Sequence, residues 1–376
     1  MKQTIRNAKC LVIKIGSSLL VDNSTGAIHR KWLTSVIQDI KTCWERGQQI
    51  VIVSSGSIAL GRRHLQLKNR TLQLEEKQAA AAVGQIKLAH AYQEILEQHN
   101  ITVAQVLLTL DDSENRKRYL NAKNTLETLL NLRAIPVINE NDTVATAEIR
   151  YGDNDRLAAR VAQMVSADTL VLLSDIDGLY TSNPRFNPGA TLIPEVTQLT
   201  SDILAMAGDS ATEFGTGGMI TKLAAAKIAL TSGCKMVIAP GKHLNPIARI
   251  DETRNCTWFI PETTPMSARK NWIAQHLKPT GSITVDAGAA NALRHGKSLL
   301  SVGVIDIEGE FNKGDAIIIM SENKQEIARG LTNYTSHDAK KIKGHKSSAF
   351  EAILGYCGCD EIIHRNDLSL HLGEKN

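Results

Sequence analysis

Six short aliphatic runs, separated by stretches of helical composition, constrain the fold of this 376-residue chain more than any other feature. The runs are CLVIKI at 10–15, IVIV at 50–53, VAQVLL at 103–108, IPVIN at 135–139, LVLL at 170–173 and KMVIA at 235–239. Apolar strands without polar alternation are typical of a parallel sheet that helices cover on both faces. The sequence therefore predicts an α/β domain with an open, mainly parallel sheet sandwiched by helices.

The segments between these runs are predicted to be helical, because good helix formers are frequent there and apolar residues recur with helical spacing. The predicted helices span 30–46, 75–98, 114–132, 155–166 and 219–232. After Leu277 the pattern changes to short β-like pieces without long helices between them, namely SITVD, LLSVGVIDIEG, GDAIIIM, EIARGLTNY and EIIHR. We therefore predict two domains, 1–276 and 278–376, of which the second is small and β-rich.

Composition limits the class of protein. With 43% hydrophobic and 22% charged residues, the chain has the composition of a soluble globular protein, and a net charge of +4 does not demand a nucleic acid or a membrane surface as partner. Six cysteines without a C-x-x-C pair are too sparse for a disulfide scaffold. Because the chain also lacks a signal-peptide pattern and any apolar run of about 18 residues, we predict a cytoplasmic protein without a membrane segment.

Polar or glycine-containing residues follow five of the predicted strands at their carboxyl ends. They are Gly16 to Ser18, Ser54 to Ser57, Asn139 to Asp142, Ser174 with Asp175, and Gly241 with Lys242. Ligands of open α/β sheets bind beyond the carboxyl ends of the strands, so these exits predict one binding crevice and favour an enzyme. The richest segment, 137–159, carries many carboxylates and amides that are costly to bury without partners, although the same residue types also form ordinary solvated turns.

Two further features indicate phosphate binding. The segment GTGGMITK at 215–222 has three glycines that leave backbone N–H groups accessible to an anion, just before a predicted helix N-terminus. It is neither a Walker A loop nor a Rossmann fingerprint, and glycine content alone also fits a flexible surface loop. Lys14 lies inside an apolar strand, where a lysine needs a counter-charge, and Gly16 nearby would permit close approach of a phosphate; an edge or snorkelling lysine is the alternative.

Five motifs, taken in their order and spacing, resemble those of the glutamate 5-kinase family, a branch of the amino acid kinases. The motifs are LVIKIGSS, IVIVSSGSIALGR, PVINENDTVATAEIRYGDND, LLSDIDGLYTSNP and GTGGMITK. The resemblance covers essentially the whole chain, because the tail from about residue 280 resembles the PUA domain that many bacterial members carry. It implies ATP-dependent phosphorylation of the γ-carboxylate of L-glutamate, the first step of proline biosynthesis, with ATP and Mg²⁺ as cofactors.

The resemblance also implies roles for individual residues. Lys14 and Lys222 correspond to lysines that contact the ATP phosphates and the transferring phosphoryl group, and Asp155 corresponds to the aspartate that orients them. The implied substrate-binding residues are Ser55, Gly56, Asn139, Asp142 and Asn154. The implied nucleotide-binding residues are Lys14, Ser174, Asp175, Thr216, Gly217, Gly218, Met219, Ile220, Thr221 and Lys222. No metal-binding residue is named, because Mg²⁺ is expected to be carried by the nucleotide phosphates.

The expected partners follow from the same resemblance: L-glutamate as substrate, proline as feedback inhibitor, a homo-oligomer, and hand-off of the product to glutamyl phosphate reductase. Two alternatives remain open. One is another carboxylate or carbamate kinase of the same fold, and the other is an RNA-binding factor that acts through the PUA-like tail. Residues 277–376 contain 12 Lys and Arg against 13 Asp and Glu, a poor footprint for RNA, although Lys340, Lys341, Lys343 and Lys346 form a local basic cluster.

Overall fold

The computed structural model describes residues 3–22, 25–67, 70–144, 154–207, 218–275 and 277–371. The chain divides into two compact units, Met1–Pro265 and Met266–Asn376. The helix Pro265–Gln275 therefore lies almost wholly in the second unit, whereas the sequence pattern placed the domain boundary after it. The boundary between 276 and 278 stays a prediction.

The first unit is built on an eight-stranded sheet with the order β3-β4-β2-β1-β5-β7-β8-β6. The strands are β1 (Cys10–Ile15), β2 (Gln49–Ser54), β3 (Val103–Leu108), β4 (Ile135–Glu140), β5 (Thr169–Ser174), β6 (Glu195–Val196), β7 (Lys235–Pro240) and β8 (Thr257–Phe259). Neighbouring strands from β3 to β7 are parallel, and within the described residues of this sheet only the β7–β8 pair is antiparallel. The predicted α/β class with a mainly parallel sheet is confirmed.

Helices connect the strands and cover both faces of this sheet. They are α1 (Ser17–Leu20), α2 (Arg30–Glu45), α3 (Ser57–His64), α4 (Leu74–Glu97), α5 (Leu110–Glu114), α6 (Arg116–Asn131), α7 (Asn154–Met164), α8 (Ser201–Ala205), α9 (Met219–Thr231) and α10 (Pro246–Thr253). The next helix along the chain, α11 (Pro265–Gln275), belongs almost wholly to the second unit. The five helices expected from the sequence correspond to α2, α4, α6, α7 and α9. The elements that were not predicted are strands β6 and β8 and helices α1, α3, α5, α8, α10 and α11.

The two faces of β1 carry different neighbours because side chains alternate along a strand. Ile13 packs with Leu33 of α2 in one hydrophobic cluster, and Val12 packs with Val161 of α7 in another. Lys14 has the same parity as Val12, so its side chain is directed to the α7 face of the sheet. A lysine in an otherwise apolar strand is thereby brought to the helix that supplies its counter-charge.

Helices α3 and α4 approach each other so closely that their backbones are in contact. A β-carbon at Gly61 would lie 1.7 Å from the carbonyl oxygen of Ala80, and one at Gly84 would lie 1.7 Å from the carbonyl oxygen of Ser57. Neither position has room for any side chain. Because Ser57 is the first residue of α3, this contact fixes the segment that follows β2.

The second unit contains a five-stranded sheet with the order β10-β9-β11-β12-β13. Its elements are β9 (Gly281–Val285), α12 (Ala287–Arg294), β10 (Val304–Gly309), β11 (Ala316–Met320), β12 (Glu326–Leu331), α13 (Ser336–Ile342), α14 (Phe350–Leu354), β13 (Leu368–Leu370) and the 3₁₀ helices Ser301–Gly303, Ser347–Ala349 and Arg365–Asp367. Its core includes Ile283, Ile317, Ile319 and Phe350. The β-rich prediction is confirmed, but EIIHR contributes only an isolated bridge between Ile363 and Leu299.

The cysteines of this protein are all free thiols. Burial raises the pKa of Cys43 and of Cys256 to about 11, so both thiols are protonated at neutral pH and poor nucleophiles.

In the described part of the chain, no helix has the length and apolar character needed to cross a membrane.

Candidate active site

The polar exits of five strands lie side by side at one edge of the sheet. Strands β4, β2, β1, β5 and β7 are consecutive neighbours and run in the same direction. Backbone hydrogen bonds join adjacent exits: the amide of Ser55 donates to the carbonyl of Ile15 at 3.2 Å, and that of Gly241 donates to the carbonyl of Ser174 at 2.7 Å. The edge therefore forms a continuous polar rim beyond β1, β2, β5 and β7.

A buried ion triad occupies the centre of this rim. Lys14 Nζ lies 2.7 Å from Asp155 Oδ1, and Lys222 Nζ lies 3.2 Å from Asp155 Oδ2. The side chains are 12%, 6% and 1% exposed for Lys14, Lys222 and Asp155 respectively. Three elements that are remote in sequence, β1, α7 and α9, thus bring two ammonium groups to one carboxylate.

The charge state of the triad follows from this geometry. Burial alone would raise the pKa of Asp155, but the adjacent ammonium groups of Lys14 and Lys222 outweigh it and hold the pKa below its usual value. Asp155 is therefore ionised at neutral pH, and the two lysines leave the triad with a net charge of about +1. The excess of positive charge within the triad favours the binding of an anion there.

The N-terminus of α9 adds to the anion-binding character of this region. Thr221 Oγ1 lies 3.0 Å from Asp155 Oδ2 and 2.8 Å from the carbonyl oxygen of Gly218, within donating distance of both. Among the described residues, no heavy atom lies within 4 Å of a β-carbon added at Gly218, the residue that precedes the first turn of α9. Met219 and Ile220 form the first turn of α9, whereas Thr216 and Gly217 lie outside the described residues.

The exits of β1 and β5 lie side by side on this rim. A β-carbon at Gly16 would lie 3.8 Å from Lys14 Nζ, so the absence of a side chain keeps the approach to this ammonium group open. Ser174 is buried at the end of β5, and its hydroxyl donates to Asp175 Oδ1 at 3.2 Å. Ser174 and Asp175, the pair predicted from the sequence, therefore lie at the end of the strand next to β1.

A network of amides and hydroxyls lies on the other side of the triad. Asn154 Nδ2 lies 2.6 Å from Ser55 Oγ, 3.1 Å from the carbonyl oxygen of Ser54 and 3.1 Å from Asn139 Oδ1. Asn154 and Asp155 are consecutive residues at the start of α7. The first turn of one helix therefore joins the ion triad to the amide network.

Asp142 marks the outer end of this network. Its Oδ2 accepts a hydrogen bond from Ser57 Oγ at 3.1 Å, but burial raises its pKa above the usual value for an aspartate. Beside it lies a pocket of about 280 Å³, whose lining includes Gln85, Leu107, Glu140 and Asp142. An ammonium group bound there would relieve the desolvation of this carboxylate.

Two buried side chains of α4, Gln85 and Tyr92, contact the network although the sequence did not indicate them. Gln85 Oε1 accepts a hydrogen bond from Asn139 Nδ2 at 2.8 Å, and the Tyr92 hydroxyl lies 3.0 Å from Ser54 Oγ. They are two helical turns apart and so lie on one face of α4.

The sequence of this chain matches two known protein families. Residues 9–240 match the amino acid kinase family and residues 281–354 match the PUA domain. The chain belongs to the amino acid kinase family.

Its curated relatives are more specific. The glutamate 5-kinase of Paramagnetospirillum magneticum is 59% identical over 361 residues, which cover 96% of this chain and 97% of that protein. Glutamate 5-kinases of Dinoroseobacter shibae and a Bradyrhizobium species are 54% and 56% identical, covering 98% and 97% of this chain and 100% and 96% of the relatives. The predicted resemblance to glutamate 5-kinases with a PUA domain is confirmed.

Proposed function

We propose that this protein transfers the γ-phosphoryl group of ATP to the γ-carboxylate of L-glutamate, giving L-glutamyl 5-phosphate and ADP, the first step of proline biosynthesis. The buried triad of Lys14, Asp155 and Lys222, adjoining an amide network through Asn154, carries the proposal. A cationic phosphate site and a polar acceptor site are thereby adjacent. The similarity to glutamate 5-kinases over nearly the whole chain supports the choice of substrate.

The reaction needs no general base. A glutamate γ-carboxylate with a pKa of about 4.3 is already ionised at neutral pH and attacks the γ-phosphorus directly. The new bond joins a carboxylate oxygen to phosphorus, the bond to the β,γ-bridging oxygen breaks, and ADP leaves with that electron pair. The obstacle is therefore the repulsion between an anionic nucleophile and a polyanion.

Lys14 and Lys222 reduce this repulsion. A unit charge about 4 Å from another contributes roughly 4 kcal/mol at an effective dielectric constant near 20, enough to change the rate by orders of magnitude. Asp155 holds both ammonium groups in place by direct contact. When bound with ATP, Mg²⁺ would supply further charge neutralisation, held mainly by phosphate oxygens, as is usual for kinases.

The acceptor amino acid is assigned to the amide network. We place the substrate ammonium group at Asp142, whose half-buried carboxylate has no cationic neighbour among the described residues, and the α-carboxylate near Ser55 and Asn154. Gly56, with a φ of 107°, adopts the left-handed conformation that glycine tolerates best and directs the chain from β2 into α3. Asn139 lies between these groups.

Trapping the acyl phosphate tests the proposal. Hydroxylamine converts an acyl phosphate to a hydroxamate, and we expect hydroxamate and ADP to form when L-glutamate is offered, but far less with L-aspartate or N-acetylglutamate. Efficient turnover of one of the other two substrates in place of glutamate would establish another carboxylate kinase of the same fold.

Asp142→Asn is expected to raise the KM for glutamate about tenfold or more and to leave the KM for ATP nearly unchanged. The substitution removes the charge proposed to bind the substrate ammonium group but keeps an oxygen that can accept from Ser57. Steady-state kinetics with each substrate varied in turn measures this selectivity. Equal changes in both KM values would show that the segment has only a structural role.

The same substitution is expected to stabilise the unliganded protein at neutral pH. The pKa of Asp142 is higher in the folded than in the unfolded protein, so its contribution to stability is complete below the unfolded-state pKa. That contribution is lost as the pH rises through the folded-state pKa, because the folded protein must then bury a charged carboxylate. Asparagine has no such pH-dependent cost. Thermal melting without glutamate at pH 7 should therefore give a higher midpoint for Asp142→Asn than for the wild type.

The regulatory and partner roles are proposed on the same basis. Proline shares the α-carboxylate and amino nitrogen of glutamate but lacks the γ-carboxylate, so it would occupy the Asp142 and Asn154 end without reacting. Inhibition that saturating glutamate fails to relieve would instead indicate a separate site. A homo-oligomer, transfer of the product to glutamyl phosphate reductase, and a cytoplasmic location complete the proposal.

RNA binding by the tail receives little support. Lys343, a member of the basic cluster, donates a hydrogen bond to the carbonyl oxygen of Ile305 at 2.8 Å and lies 4.0 Å from Asp306 Oδ1. Its charge is therefore partly engaged within the second unit. Retention of the protein on an RNA column at physiological salt would support an RNA-binding function of the tail.

A further inference from the structure

Gln85 is a buried polar residue that does not belong to the proposed set of ligand-binding side chains. It lies on α4, is 8% exposed, and contacts Asn139 at the end of β4. We infer that Gln85 is a positioning residue of the acceptor site: its Oε1 helps to fix the orientation of the Asn139 amide, and through it that of the Asn154 amide. This inference rests on the proposed glutamate kinase function and adds a determinant of acceptor binding.

The contacts of Asn139 show how its orientation is determined. Asn139 Oδ1 accepts from the backbone amide of Glu140 at 2.9 Å and from Asn154 Nδ2 at 3.1 Å. Its Nδ2 donates to Gln85 Oε1 at 2.8 Å and lies 3.3 Å from Ser57 Oγ. If the amide were rotated by half a turn, its NH₂ group would face the NH₂ group of Asn154, and two donors would oppose each other.

Two neighbours exclude the rotated state. The backbone amide of Glu140 can only donate, so it requires Asn139 Oδ1 on its side. Gln85 Oε1 can only accept, so it requires the NH₂ group of Asn139 on the α4 side, whereas the hydroxyl of Ser57 adapts to both orientations. Asn154 is then left with an oxygen as its partner, and this aligns its amide with Ser55.

The two halves of the Gln85 amide differ in their partners. Nε2 is buried and has no hydrogen-bond partner among the described residues, whereas Oε1 accepts from Asn139 Nδ2. The contact with Asn139 is therefore the polar contact that this side chain contributes within the described part of the chain.

The backbone of α4 is held firmly enough for this purpose. The preceding residue, Gly84, lies against the carbonyl oxygen of Ser57 with no room for a β-carbon. The position of Gln85 is thereby tied to the start of α3. The donor and acceptor positions around Asn139 are consequently built on two helices and a strand rather than on a loop.

Gln85→Met tests the inference, because methionine has a similar length and lacks the amide acceptor. We expect the KM for glutamate to rise about tenfold, the loss expected for one hydrogen-bonded group, with little change in the KM for ATP. Gln85→Glu keeps an acceptor oxygen in either protonation state, so its KM should stay within about threefold of the wild type. Gln85→Leu serves as a second apolar variant should the methionine protein fail to fold.

Gln48→Met is the matched control. Gln48 is also buried, at 4% exposure, but its Nε2 donates to the carbonyl oxygens of Ile5 and Ala8. Its replacement is expected to lower the thermal midpoint without raising the KM for glutamate. If Gln85→Met behaved like Gln48→Met, or if Gln85→Glu were as impaired as Gln85→Met, the positioning role would be overturned.

A double-mutant cycle with Asn139→Ala identifies the route of the effect. If Gln85 acts through Asn139, then Gln85→Met should have no further effect on the KM for glutamate once Asn139 is alanine. Additive effects would show that Gln85 acts independently and would refute the inference. A wild-type protein without glutamate-dependent ADP release would refute the proposed function instead, so the two failures are distinguishable.

Discussion

Replacing Lys14 or Lys222 with alanine is expected to lower kcat about 10²- to 10³-fold, by analogy with the loss of one oxyanion-hole donor. Each ammonium group is placed to stabilise charge that moves from the γ-phosphate to the leaving oxygen, a contribution largest in the transition state. The measurement is the rate of glutamate-dependent ADP release at saturating concentrations of both substrates. Both lysines replaced together should reduce turnover further.

The folded state should survive either single replacement. Asp155 contacts both lysines, so removal of one leaves a neutral pair rather than an isolated buried charge. Lys227→Ala is a suitable control, because Lys227 is exposed on the same helix α9 and its loss changes the net charge equally. A double variant at Lys14 and Lys222 with most of the wild-type turnover would contradict the mechanism.

Gly84→Ala is expected to lower the free energy of unfolding by about 3 kcal/mol, at the upper end of the usual overpacking range. The added β-carbon would lie 1.7 Å from the carbonyl oxygen of Ser57 and 2.7 Å from the backbone nitrogen of Gly61. Backbone atoms cannot move aside as side chains do, so α3 and α4 must separate. Chemical denaturation of the intact protein measures the loss.

This separation should also weaken acceptor binding, because Ser57 holds Asp142 and α4 carries Gln85. We expect a higher KM for glutamate in any folded Gly84→Ala protein. Gly288→Ala is the control: Gly288 lies in helix α12, and its added β-carbon would meet only Asp286 Oδ1 at 3.3 Å. Equal free energies of unfolding for Gly84→Ala and Gly288→Ala would mean that helices α3 and α4 are not in close backbone contact.

Much of the first unit could be predicted because buried parallel strands leave a simple pattern. Strands β1, β2, β4, β5 and β7 are apolar on both faces, and long helices with good helix formers separate them. The shorter elements were missed for physical reasons. Helix α3 contains Gly61, which lowers helix propensity but permits the contact with α4, and β8 is a three-residue antiparallel strand near the edge of the sheet.

The candidate site was predictable only in part. Lys14 was indicated by its position in an apolar strand, and the resemblance supplied Asp155 and Lys222, but their mutual contact is a property of the fold. Gln85 could not be found from the sequence, because a glutamine in a long helix is ordinary on the solvent face. Its partner Asn139 is far away along the chain, and only the packing of α4 onto the sheet brings the two together.

The junction of Asn154 and Asp155 at the start of α7 has a consequence for how this site can diverge. Consecutive α-carbons are about 3.8 Å apart, so in the proposed function a single peptide unit sets the spacing between the residue that aligns the acceptor and the residue that aligns the phosphate donor. New acceptors could then be accommodated by changes around Asp142 and Gln85. An insertion between Asn154 and Asp155 would instead separate the nucleophile from the phosphorus.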